Sequence, residues 1–196
     1  NLAAELVEVS AGVFEKLAFG DRAEGIVAVA AMPEWRLDKI RLPEAPLVAV
    51  IVGIEKPGNV GAVLRSADGA GLDAVVVVDG VTDLFNPNTI RASLGTLFTM
   101  PVCEATTDEA LAWLRGGDLA IYAARVDGAV DYTEVDYRRP AAVVLGSEAT
   151  GLGAAWSDGG VTAVSVPMRG QADSLNISAT AAVLFYEALR QRTHGA

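Results

Sequence analysis

One cysteine and one histidine, Cys103 and His194, occur in the 196 residues. A lone thiol cannot close an internal disulfide, and the two residues alone do not make a metal set. His194 reads as a tail residue, so a mechanism built on an imidazole base is disfavoured. Positive charge is also scarce. Fifteen Lys and Arg stand against 25 Asp and Glu, a net charge of −10, which argues against broad electrostatic attachment to nucleic acid. No basic block hides in residues 1–46 or in the remainder. Apolar runs are shorter than the ~20 residues of a membrane span, and no secretory leader pattern opens the chain. A cytoplasmic protein is therefore expected. The sequence begins at Asn1 rather than Met, so the native start is expected to be missing.

What is present is ample apolar material, 52% of residues, enough for one domain or one domain plus a fragment of another. Leu6, Val9, Val13 and Leu17 predict an amphipathic helix over residues 1–24. GIVAVAA (25–31) predicts a short buried strand. The proline-rich stretch 33–46, with Trp35, Leu37 and Ile40, has linker composition and places a domain boundary near 46.

From residue 47 strand and helix patterns alternate. LVAVIVGI (47–54), AVVVV (74–78), MPVCEA (100–105), LAIYAARV (119–126), AAVVLG (141–146) and VTAVSVP (161–167) read as strands. Residues 60–70, 86–94 and 107–114 read as intervening helices, with Pro57, Gly58 and Asn59 forming a turn. Continuous apolar strands between helices imply an α/β fold, a mostly parallel sheet with helices on both faces. The stretch 164–187 organises the rest. A strand leads through a polar loop into a helix expected to start at Asp173 or Ser174, apolar on every side and therefore expected to be buried all round. Its early Ser174, Asn176, Ser178 and Thr180 need partners if buried.

Polar and glycine residues concentrate in three loops at strand ends, where α/β sheets bind ligands. In EKPGNVGAVLRSADGAG, Asn59 is either a helix cap or a functional amide. Arg65, if buried, needs a structural salt bridge or an anionic ligand. A phosphate loop is ruled out by the missing Gly-Lys-Ser/Thr ending. In LGSEATGLG, the glycines do not follow the dinucleotide spacing, and Glu148 either pairs with a cation or caps a helix. The third loop is 168–173. Asp79, Asp83 and Asn86 read as a turn, since no calcium-loop spacing is present.

Together GNVGAVLRSADGAG, LGSEATGLG and VPMRGQADSLNISATAAV, in this order, resemble the SpoU (TrmH-like) family of SPOUT RNA 2′-O-ribose methyltransferases over residue 47 to the C-terminus. The resemblance implies a C-terminal deep trefoil knot, a rare exception to the rule against threading. It also implies S-adenosyl-methionine as cofactor, RNA (rRNA or tRNA) as substrate, and a homodimer through the knotted region, without metal or membrane. Residues 1–46 would then be the remnant of an N-terminal RNA-binding domain plus linker, and 47–196 the catalytic domain. Carried over by position, Leu145, Gly146, Gly151, Val166, Met168 and Leu175 would hold the cofactor. Asn59, Arg65, Glu148, Ser174 and Asn176 would surround the reacting centre. The alternatives are a non-catalytic RNA-binding protein of the same fold and a Rossmann-like oxidoreductase; the missing fingerprint disfavours the latter.

Overall fold

The structure, a computed structural model, describes residues 4–19, 25–33, 35–147 and 151–194. The chain divides into two compact units, Asn1–Pro33 and Glu34–Ala196. In the first, the one helix among the described residues is α1, Ala11–Leu17, entered from Ser10. It is much shorter than the helix expected over 1–24: residues 4–10 are not helical, and 1–3 and 20–24 lie outside the described residues. The strand expected at 25–31 does not form. A strand persists only with a ladder partner, and these residues have none; Val29 is 98% exposed.

The second unit holds a seven-stranded, wholly parallel sheet among the described residues. Its strands are β1 (Leu47–Val52), β2 (Ala74–Val78), β3 (Val102–Ala105), β4 (Ala120–Ala124), β5 (Val130–Asp131), β6 (Ala141–Leu145) and β7 (Val161–Ser165). The spatial order is β3-β2-β1-β6-β4-β7-β5. Alternate residues of each strand face opposite layers. Leu47, Ala49 and Ile51 join one core with helices α2 (Pro57–Gly69) and α5 (Ile177–His194). Val48, Val50 and Val52 join another with α4 (Thr107–Gly116) and Trp156. This is the α/β architecture with helices on both faces. The 3-10 turn Leu37–Lys39 leads to Ile40, which is buried in the second core.

Local chemistry explains most boundaries. Thr106 and Glu109 form a reciprocal capping box at the start of α4. Asn86 caps α3 (Pro87–Ser93) by accepting from the Asn88 amide at 2.9 Å. The segment Pro57-Gly58-Asn59, expected as a turn, is instead the first turn of α2, with proline at a position where its missing N–H costs nothing. Gly61 lets α2 and α3 meet: a Cβ there would lie 2.5 Å from the Thr89 carbonyl oxygen. Cys103 is buried and its thiol is pushed up to about 11 by burial and by Glu104, which makes it a packing residue rather than a nucleophile.

The last helix departs from expectation twice. It starts at Ile177, and its cap is Asn176 rather than Asp173 or Ser174. The Asn176 side chain accepts from the Ser178 amide at 3.0 Å, and its carbonyl from the Thr180 amide at 2.9 Å. It is also buried on one side only: Ile177, Ala181, Leu184, Phe185 and Ala188 are covered, whereas Ala179 and Tyr186 are exposed. Its apolar content therefore exceeds what its own sheet face covers.

The C-terminal turns of α5 grip the rest of the unit. Arg192 donates to the carbonyls of Tyr137 (2.8 Å), Ala45 (2.7 Å), Pro46 (3.0 Å) and Arg139 (3.1 Å). Gln191 accepts from the Tyr137 amide at 3.0 Å and donates to the Val135 carbonyl at 3.1 Å. Arg192→Met keeps the apolar stem but leaves these carbonyls without their donor. It should lower stability by about 2–3 kcal/mol in urea unfolding followed by circular dichroism. An unchanged midpoint would show that the clamp is not needed.

Candidate functional site

The parallel register brings four strand ends into one row. Ile51 lies beside Leu145, Leu145 beside Ala124, and Ala124 beside Val164. Just past this row, at the carboxyl ends of β4, β6 and β7, is a cavity of about 370 Å³. That volume lies within the ~300–1,000 Å³ typical of small-molecule sites. Its apolar wall includes Leu145, Val164, Val166, Met168, Leu175 and Ile177. Gly146, Ser147, Gly151, Ser174 and Thr180 supply polar and main-chain groups.

Why the β6 loop is so glycine-rich is now physical. Ser147 and Gly151 pair as an isolated antiparallel bridge, with the Gly151 amide donating to the Ser147 carbonyl at 3.0 Å. Gly151 has φ of 63°, a conformation that glycine adopts without strain. A Cβ on Gly146 would lie 2.6 Å from the Gly151 carbonyl carbon. Gly151 thus lies directly against the end of β6, and both glycines line the cavity.

The residues singled out from the sequence are distributed as follows. Leu145, Gly146, Gly151, Val166, Met168 and Leu175 all line the cavity, and so does Ser174. Asn59 and Asn176, far apart in the chain, meet: the Asn176 side-chain amide donates to the Asn59 side-chain oxygen at 3.5 Å. Asn59 lies within the first turn of α2 while Lys56 occupies the cap position, so the capping alternative for Asn59 falls away. Arg65 sits exposed on α2, does not line the cavity, and makes no salt bridge among the described residues. Glu148 lies outside the described residues.

Some lining residues escaped sequence reasoning as site residues: Ala124, Arg125, Val126 and Asp173 among them. The signal available was position, since Ala124 ends β4 and Arg125 and Val126 follow it. Arg125 donates from Nε and Nη2 to Asp127 at 2.8 and 3.0 Å and from Nη1 to the Ser157 hydroxyl. This fork raises the Arg125 pKa above its ordinary value through the hydrogen bond and charge of Asp127, and it ties the β4 turn to the segment after the glycine loop. Arg138 is paired with Asp136 through Nε alone, at 2.7 Å, so the charge of both arginines is already partly answered. Asp79, Asp83 and Asn86 are engaged in the turn: Asp83 accepts from the Phe85 amide and Asp79 from the Thr107 hydroxyl.

Comparison with known proteins agrees with this geometry. The SpoU rRNA Methylase family profile matches residues 46–186. The 23S rRNA (uridine(2479)-2′-O)-methyltransferase of Streptomyces viridochromogenes is 33% identical over 87% of this chain, and the chain spans 61% of that relative's length. A crystal structure of an RNA 2′-O ribose methyltransferase superposes with a TM-score of 0.83 and 46% identity, covering 95% of this chain and 72% of the other. The SpoU methyltransferase AviRb of Streptomyces viridochromogenes in complex with AdoMet gives a TM-score of 0.79 with 32% identity, covering 84% of this chain and 67% of the other. With the profile spanning most of its length, the chain belongs to the SpoU rRNA Methylase family.

Proposed function

We propose that this protein is a cytoplasmic, S-adenosyl-methionine-dependent methyltransferase acting on a ribose 2′-hydroxyl of rRNA or tRNA. The observation that carries the reading is the cavity at the row of strand ends, whose wall combines a greasy slot with a glycine-built backbone rim. A flat base and ribose fit such a slot, with main-chain groups giving specificity. Leu145, Gly146, Gly151, Val166, Met168 and Leu175 would hold the cofactor, which supplies an activated methyl on a sulfonium.

The chain's own task is to position the hydroxyl and stabilise the charge that develops on its oxygen. Transfer would form an oxygen–carbon bond as the carbon–sulfur bond breaks, with the electron pair remaining on sulfur and the hydroxyl proton passing to solvent water. An in-line displacement of this kind gains much from orientation. Asn59 and Asn176, in contact through their amides, would fix the ribose and the loop that carries Ser174. Arg65 has no competing ion pair among the described residues, so its guanidinium is available to an incoming phosphate or developing alkoxide. An arginine is a reluctant base, and charge stabilisation is the role its chemistry favours. Glu148 is proposed to orient Arg65 or the ribose.

A homodimer completes the proposal. α5 leaves Ala179 and Tyr186 exposed, and the Tyr186 hydroxyl lies beside Gly69 of α2, 3.1 Å from where a Cβ would be. A second copy seated on this α2–α5 face would cover the apolar excess of α5. A C-terminal trefoil knot is also part of the proposal. Its support is the chain path: β4 is laid two places from β1, β6 returns to the gap between them, and β7 passes beyond β4. Residues 1–46 are assigned as an RNA-binding remnant plus linker and 47–196 as the catalytic domain. Ile26 and Val29 present apolar surface of the kind a neighbouring domain covers.

Two experiments test this reading. In calorimetric titration with S-adenosyl-methionine, Gly146→Ala should weaken binding about tenfold or more, because its Cβ overlaps the loop backbone; wild-type affinity in this variant would contradict the assigned cradle. In single-turnover methyl incorporation into rRNA and tRNA, Arg65→Lys should slow transfer by about 100-fold while leaving cofactor affinity intact. A near-normal rate with an unchanged pH profile would remove Arg65 from the chemistry.

A further inference from the structure

Among the described residues, two charged side chains line the cavity, Arg125 and Asp173, and they differ in how far their charge is already answered. Arg125 is forked by the Asp127 carboxylate and also bonds the Ser157 hydroxyl. Asp173 accepts from a neutral group, the Ser174 hydroxyl at 3.0 Å, and has no ion pair among the described residues. The cavity wall is therefore biased towards a cation. Asp173 is bonded to Ser174, and Asn176, two residues further on, reaches Asn59, so the same short segment carries the carboxylate and the amide assigned to the reacting centre.

We infer that Asp173 distinguishes the methylated, sulfonium form of the cofactor from its demethylated product. This rests on the S-adenosyl-methionine reading given above. When the methyl carbon leaves, sulfur retains the bonding electron pair, and the sulfonium charge vanishes; the ligand passes from a net positive charge to none. A carboxylate in the cavity wall attracts the first species and gains nothing from the second. Asp173 thereby favours loading of fresh cofactor and release of spent product. Because Asp173 is exposed to solvent, the preference is moderate and sensitive to salt.

The test is calorimetric titration of the full chain with S-adenosyl-methionine and, separately, S-adenosyl-homocysteine. Asp173→Asn should weaken S-adenosyl-methionine binding about three- to fivefold, with S-adenosyl-homocysteine affinity unchanged, and Asp173→Glu should retain the wild-type preference. An equal loss for both ligands, or no loss for either, overturns the assignment. Raising salt from about 0.05 to about 0.5 M should reduce the wild-type preference for the charged ligand. A salt-independent preference overturns the assignment even if Asp173→Asn does not fold. Failure of the wild type to bind either ligand would instead overturn the cofactor reading on which the inference stands.

Discussion

The ladder of β6, parallel to β1 on one side and to β4 on the other, is the constraint on which the site depends. It sets Leu145 level with Ile51 and Ala124, and through Ala124 with Val164. The glycine loop after β6, the turn after β4 and the loop after β7 then open at the same level and enclose one space. Burial on both faces makes this register unforgiving. A slip of one residue would exchange the residues of β6 between the two cores.

Two further constraints convert that row into a cavity. Gly146 and Gly151 approach too closely for a Cβ on Gly146, which sets Gly151 against the strand end. At the amino ends of the strands, Gln191 and Arg192 fasten α5 to the β5–β6 connection and to the entry into β1. α5 thus runs from Asn176, beside Asn59, to a clamp on the two segments that lead into β1 and β6. Anchoring at both ends fixes where the loop before α5 can lie, and that loop carries Met168, Asp173, Ser174 and Leu175 into the cavity wall.

Much of this was legible in the sequence because the central strands are continuous apolar runs, and buried parallel strands have no other composition. The helices between them followed from their alternation with those strands, and the capping box of Thr106 with Glu109 emerged only in the structure. The order of strands was not legible, since β6 could as well have added at an edge; apolar pattern says that a strand is buried, not beside what. β5, only two residues long, carries no periodicity to detect. The start of α5 was misplaced because Asp173, Ser174 and Asn176 are all chemically able to cap. Packing decided for Asn176 and left the other two to the cavity wall. The amphipathic pattern of residues 1–24 overstated the helix, because spacing alone supplies no surface for the apolar stripe to bury against.

The resemblance carried by three loops pointed to the same strand ends that the geometry converges on, while Arg125 and Asp173 took their meaning only from the assembled cavity. The central claim is that this cavity holds S-adenosyl-methionine. A crystal structure of the protein grown with that cofactor tests it most directly. The account predicts the cofactor bent between the β4, β6 and β7 loops, in contact with Leu145, Gly146, Met168 and Leu175. Cofactor bound elsewhere on the chain, or the cavity closed by side chains in a cofactor-saturated crystal, would contradict it.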